Sequence, residues 1–186
     1  MKPFQLKANV IRNSKAGFAY WQLVVEAPSI ARAALPGQFA MLKVCRGHDP
    51  LLRRPLGIHG VDGSRVVFMY EVVGAGTTAL TKIMPGEQID IIGPMGNGFT
   101  YTKGDKASTP LLVAGGMGVV PLLFLARQLI RNKQKPLVLI GARTKAHIVC
   151  DKEFKKMGCT VKISTDDGSA GFNGRVTELL DGSFKA

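Results

Sequence analysis

The chain has 186 residues and a formal net charge of +12, enough length for one large domain or two small ones with a real hydrophobic core. No apolar run reaches the ~18 residues of a membrane span, and the first thirty residues lack a signal-type apolar stretch, so a soluble, cytoplasmic protein is expected. Cys45, Cys150 and Cys159 are odd in number and form no C-x-x-C pair, which argues against a disulfide framework, a structural zinc and an iron–sulfur cluster held by this chain alone.

The first hundred residues read as strands. FQLKANVI and FAYWQLVVEA flank a turn-like NSKAG, and QFAMLKV follows Pro36-Gly37. After the loop RGHDP, PLGIHGV and RVVFMYEVV flank Asp62-Gly63, a hairpin signal. A short helix is expected from Thr77 to Ile83, ending at Pro85-Gly86, with QIDIIG as the next strand. Six or so strands with one short helix predict a small antiparallel barrel. The polar KGDKAST marks a boundary, placed between residues 103 and 104. Beyond it LLVA, LVLIGA and TVKIST are strands, alternating with helices over PLLFLARQLIRN and KAHIVCDKEFKKMG and a last helical turn in GRVTELL. That alternation predicts a parallel α/β sheet.

The cations are scattered, from Lys2, Lys7, Arg12 and Lys15 through Arg53 and Arg54 to a sprinkling beyond Lys103. Without a basic helix, zinc finger or RNA-recognition signature, no nucleic-acid partner is expected. Anionic cofactors and an acidic partner account for the charge as well.

Gly116-x-Gly118-x-x-Pro121, preceded by Gly115, lies between a strand and a helix. Glycines there allow a sharp turn and close approach of an anionic ligand, Pro121 suits the first helical turn, and free N–H groups attract phosphate. A tight turn that needs glycine only for packing is the plainer alternative. The acidic residue that dinucleotide sites place ~20 residues on is missing, and Arg143 stands there instead. Arg143 is therefore a candidate for an adenine or a 2′-phosphate, which leaves NADP open beside NAD; a solvated loop arginine is the alternative. In the first half, Gly76-Thr77 opens the short helix, where the hydroxyls of Thr77 and Thr78 either cap it or meet a phosphate. Arg54, followed by Pro55, suits a diphosphate.

In order, R-R-P-L-G, Y-E-V-V-G-A-G-T, I-I-G-P-M-G-N-G-F and G-G-M-G-V-V-P make the chain resemble the ferredoxin–NADP reductase superfamily. T-D-D-G-S-x-G-x-x-G-x-V-T, Thr165 to Thr177, is similar to one branch of it, the electron-transfer subunits of bacterial dihydroorotate dehydrogenases. The resemblance implies a flavin-binding barrel over residues 1–103 and a nicotinamide-nucleotide domain over 104–186. It also implies FAD and NAD as cofactors, a 2Fe–2S cluster relaying electrons, and a catalytic dehydrogenase subunit of pyrimidine biosynthesis as partner. Carried over, Arg54 meets the flavin phosphates, Pro55, Leu56 and Gly57 line the isoalloxazine, and Met69, Tyr70 and Glu71 form the next contacting strand. Gly76 and Thr77 make the pyrophosphate turn, while Gly115, Gly116, Gly118 and Pro121 face the nicotinamide and its diphosphate.

Three departures stand out. Gly57 replaces a common Ser or Thr, and Glu71 an often basic residue. Family members also continue past the equivalent of Ala186 through a C-G-P strand and a four-cysteine cluster segment, so the second domain is expected to be incomplete, with LLVA as an unpaired edge. No ligands for the cluster are found in this chain, and no catalytic acid or base is required of it. His48, His59 and His147 are scattered, and Asp166-Asp167 is read as shaping a loop. The alternatives are a subunit of a related NAD(P)H–ferredoxin or sulfide oxidoreductase, and a non-catalytic flavoprotein-like binding module.

Overall fold

Alternating aliphatic residues drive the first half into strands that close on themselves. In the computed structural model, which describes residues 2–45, 47, 50–101 and 109–183, the strands are β1 (Phe4–Lys15), β2 (Tyr20–Glu26), β3 (Phe39–Leu42), β4 (Arg54–Asp62), β5 (Arg65–Glu71) and β6 (Gln88–Met95). Among the described residues they form a closed antiparallel barrel in the order β1-β2-β5-β4-β3-β6. Every second residue points inward, and Leu23, Val25, Ala40, Leu42, Ile58, Val66, Phe68 and Ile91 are fully buried. Closure removes the free edges an open sheet would leave.

Two local features differ from expectation. An unforeseen helix, α1 (Pro28–Ala33), begins on Pro28 and sinks Ile30 into the core. Six residues are too few to show a helical period, and proline followed by serine reads as a turn. The next helix, α2 (Ala75–Thr81), starts two residues before Thr77. The reason lies in Thr77 itself: its hydroxyl accepts from the backbone N–H groups of Val73 (3.0 Å) and Gly74 (3.2 Å). The helix start is therefore satisfied from inside the first turn.

The chain divides into two compact units, Met1–Phe99 and Thr100–Ala186. The boundary expected at 103 and 104 falls outside the described residues, as does His48. In the second unit β7 (Leu111–Gly115), β8 (Leu137–Ala142), β9 (Thr160–Thr165) and β10 (Phe172–Asn173) form a parallel sheet in the order β10-β9-β8-β7. The fold class is thus the one expected: a barrel followed by an α/β parallel-sheet unit. Val138, Leu139 and Ile140 are all at most 1% exposed, as befits a strand covered on both faces. Among the described residues β7 has a strand neighbour on the β8 side alone, and Val113 is 37% exposed there.

The helix α3 (Val119–Arg131) turns Leu123 and Ala126 fully inward. The second helical stretch is shorter than expected and consists of a 3-10 turn, Lys145–His147, and α4 (Asp151–Lys156). Cys150 separates them with φ = 66°, a left-handed conformation that a continuous helix cannot contain. The last helical turn is α5 (Glu178–Ser183), and β10 was not foreseen because a two-residue strand carries no period.

Candidate functional site

Two groups of residues come together, one in each unit. At one end of the barrel the chain enters β4 through Arg53-Arg54, and neighbouring arginines on a strand diverge. Arg53 forms an ion pair with Asp90 (Nη2 to Oδ1, 3.0 Å) and donates to the Asp90 carbonyl at 3.1 Å. The Arg53 guanidinium is the chief reason that the Asp90 carboxyl sits below its ordinary range, with lesser help from Gln5 and Lys43 against burial. Arg54 instead donates from Nη1 to the Leu52 carbonyl (2.7 Å) and lays its guanidinium over Gly76. A methyl group at Gly76 would stand 2.6 Å from the guanidinium carbon, so glycine is what lets the cation lie against the α2 backbone.

The other residues expected here divide by strand parity. By strand parity Leu56 and Tyr70 (2% exposed) point into the barrel with Ile58 and Phe68, whereas Pro55, Gly57 and Glu71 lie on the outward face of the adjacent strands β4 and β5; Met69 shares that outward parity but is itself buried (5% exposed). A Cβ on Gly57 would meet nothing within 4 Å, so this stretch of wall is open. Leu56 and Tyr70 can thus serve a ligand on that face through their backbone, not their side chains.

Tyr70 has a structural task. Its hydroxyl donates to Asn13 Oδ1 (3.0 Å), and its ring stacks on Trp21 at 6.5 Å. Burial pushes its phenol up to about 12, with the Asn13 hydrogen bond acting the other way. The Asn13 amide in turn donates to the carbonyls of Leu80 (2.8 Å) and Ile83 (3.0 Å), around the C-terminal end of α2. Asn13 therefore ties strand β1, Tyr70 and the helix bearing Gly76 and Thr77 into one network. Sequence reasoning missed it by placing it in a surface turn; strict alternation from Ala8 and Val10 would send Asn13 outward, and the register shift in β1 between Val10 and Arg12 is what sets it opposite the inward Leu23.

In the second unit β7 ends at Gly115, and a 3-10 turn, Gly116–Gly118, leads into α3. Gly116 has φ = 51°, which favours glycine, but Gly115 has an ordinary φ of −107°. A Cβ on either would meet nothing within 4 Å, and on Gly118 only the Ala114 Cβ at 3.9 Å. Packing within this chain therefore does not demand glycine at Gly115. Pro121 is the third residue of α3, where an intrahelical N–H is not needed.

Parallel register sets Gly115 level with Gly141 and Ala142 level with Thr165, so the glycine turn, the exposed Arg143 and the loop after β9 share the C-terminal edge of the sheet. Ligands of open α/β sheets bind outside this edge. The loop is built by Asp167, whose Oδ1 accepts from the Ser169 N–H (3.0 Å) and hydroxyl (2.6 Å), while Ser169 Oγ accepts from the Lys145 N–H (2.8 Å). The hydrogen bonds from Ser169 hold the Asp167 carboxyl below its ordinary range. His59 is buried in β4, and His147 Nδ1 lies 2.9 Å from Thr144 Oγ1. No group of three or more His, Cys, Asp or Glu converges among the described residues, and no helix there is long and apolar enough to cross a membrane.

No family model matches the chain. Over 158 residues it is 44% identical to the dihydroorotate dehydrogenase B (NAD(+)) electron transfer subunit of Desulforamulus reducens, covering 83% of this chain and 59% of that protein. With the corresponding subunit of Shouchella clausii the identity is 33% over 182 residues, covering 97% of this chain and 70% of the relative. The chain belongs to this family of electron transfer subunits. A solved NADH-dependent reduced ferredoxin–NADP oxidoreductase, described in connection with flavin-based electron bifurcation, matches with a TM-score of 0.83 and 28% identity, covering 96% of this chain and 63% of that one. The ferredoxin–NADP reductase-like architecture follows from that match and from the barrel and sheet described above. The chain spans about three-fifths of the length of the first of these electron transfer subunits.

Proposed function

We propose that this chain is the flavin-carrying component that passes electrons between NAD(H) and a partner dehydrogenase, the catalytic dihydroorotate dehydrogenase subunit of pyrimidine biosynthesis. The observation that carries the reading is Arg54 lying over the bare backbone of Gly76 at the end of the barrel, beside an open wall of Pro55 and Gly57. A guanidinium and a close-approach glycine are what a diphosphate requires, and a flat wall without a Cβ at Gly57 admits a planar ring.

In this reading Arg54 neutralises the FAD diphosphate, and Thr77 keeps the first turn of α2 in place through its bonds to Val73 and Gly74. Pro55, Gly57 and Glu71 offer their outward face to the ring system, the buried Met69 backs that wall, and Leu56 and Tyr70 set the strands from within. Gly115, Gly116, Gly118 and Pro121 present backbone to the diphosphate of the nicotinamide nucleotide, and Arg143 reaches its adenosine end. The bound flavin supplies a centre that takes a hydride and releases electrons singly. The chain's own residues position it and set its electrostatics; no side chain is assigned a proton transfer.

The exposed Arg143, with no acid between Pro121 and Asp151, supports a second reading: an NADPH-linked relative of the same architecture. Stopped-flow reduction of the FAD-loaded chain by NADH and by NADPH separates the two. Yellow protein, rapid bleaching by NADH and co-purification with a dehydrogenase subunit are expected. A colourless protein that takes up no FAD overturns the proposal.

A further inference from the structure

Two neighbouring barrel strands, β1 and β6, and the residue that follows β3 carry a row of charge on the side of the barrel away from β2 and β5. Lys7 is in register with Asp90, and the Lys43 N–H donates to the Asp90 carbonyl at 2.9 Å, so two lysines flank one aspartate. A groove of about 750 Å³ runs over this row, reaching Lys82 and Ile83 at the C-terminal end of α2 and walled on its apolar side by Val44. None of the residues assigned above to FAD or NAD lines it.

The three lysines of the lining outnumber its two acids, one of which is ion-paired outside the groove. Asp90 is held by Arg53 at 3.0 Å, and Glu87 Oε2 accepts from the Met84 N–H at 2.7 Å. Lys7, Lys43 and Lys82 form no ion pair within 4 Å among the described residues, although Lys43 adds a longer-range attraction to Asp90. Three ammonium groups around one concavity with low-dielectric walls focus a positive potential into it. Ammonium groups bind phosphate as point charges, and the volume lies inside the ~300–1,000 Å³ typical of small-molecule sites.

We infer that this groove binds a phosphorylated small molecule of about nucleotide size, separately from the flavin and nicotinamide sites. Lys7, Lys43 and Lys82 hold its phosphate groups, and Ile83 contacts its uncharged part. The site needs neither cofactor to be bound.

The test is calorimetric titration of the full chain with inorganic pyrophosphate at low ionic strength, in an Arg54→Ala background that removes the barrel-end cation from the readout. Saturable binding with one site per chain is expected. Lys43→Ala with Lys82→Ala should weaken it at least tenfold, while the control Lys152→Ala with Lys156→Ala, on exposed α4, should leave it unchanged. Circular dichroism checks the fold of each variant, and Lys43→Gln alone provides a milder second case with a smaller loss. Absence of saturable binding overturns the inference. So does an equal loss in both double variants, which would mean diffuse attraction to a basic protein. Binding of an acidic peptide but not of pyrophosphate would assign the groove to a protein partner instead and equally defeat it.

Discussion

The barrel end and the glycine turn represent two ways of preparing a chain for an anionic ligand. At the barrel end the geometry is made by side chains: Arg54 is aimed at Gly76, and Asn13 fastens the far end of α2 with two hydrogen bonds while accepting a third from Tyr70. At the turn between β7 and α3 side chains do almost nothing. Gly115 and Gly116 face open space, and the structure there is a strand end, a single 3-10 turn and the first turn of α3. The first arrangement is held by long-range contacts and fails if one partner is lost. The second is held by local backbone conformation and fails if a side chain is added.

The largest effect should come from the barrel end. Arg54→Ala removes a charge-assisted contact of ~1.5–3 kcal/mol, so FAD affinity should fall about 10- to 100-fold in a fluorescence titration, with little change in melting temperature. Retained affinity would show that the arginine only packs on α2. Next comes Gly115→Ala. Its φ is ordinary and its surroundings are empty, so stability should hold while NADH binding weakens about tenfold, or ~1.4 kcal/mol. Lost stability with unchanged NADH binding would reduce the turn to a packing feature and break the contrast.

Gly116→Ala sharpens the contrast from the other side. At φ = 51° a Cβ costs ~1–2 kcal/mol, so this variant, unlike Gly115→Ala, should show a lower melting temperature even without ligand. The smallest effect is expected at Tyr70. Tyr70→Phe strips Asn13 Oδ1 of its donor and should cost ~1 kcal/mol by denaturant titration. The phenol's ordinary value is 10.0 and its folded value about 12, so its contribution is full below pH 10 and fades as pH rises toward 12. Tyr70→Phe should lose that alkaline component.

Much of this was legible from residue order. The hairpin at Asp62-Gly63, the strand LVLIGA and the glycine turn are local patterns, and each appears where its own composition puts it. What was not legible depends on parity and distance. The run Pro55-Leu56-Gly57 looks uniform in sequence, yet strand alternation sends Leu56 inward and leaves its neighbours outward. Arg53 and Arg54 look interchangeable, but they reach Asp90 and Gly76, partners 37 and 22 residues further along the chain.

By itself, then, the sequence determined the two-part architecture, the family and the glycine turn, because hydrophobic period and turn chemistry act between near neighbours. Tertiary structure alone decided which arginine faces α2, that Asn13 is a half-buried tie and not a turn residue, and that Lys7, Lys43 and Lys82 gather around one groove. Those outcomes depend on barrel closure, which brings distant residues level with one another and commits each side chain to one face.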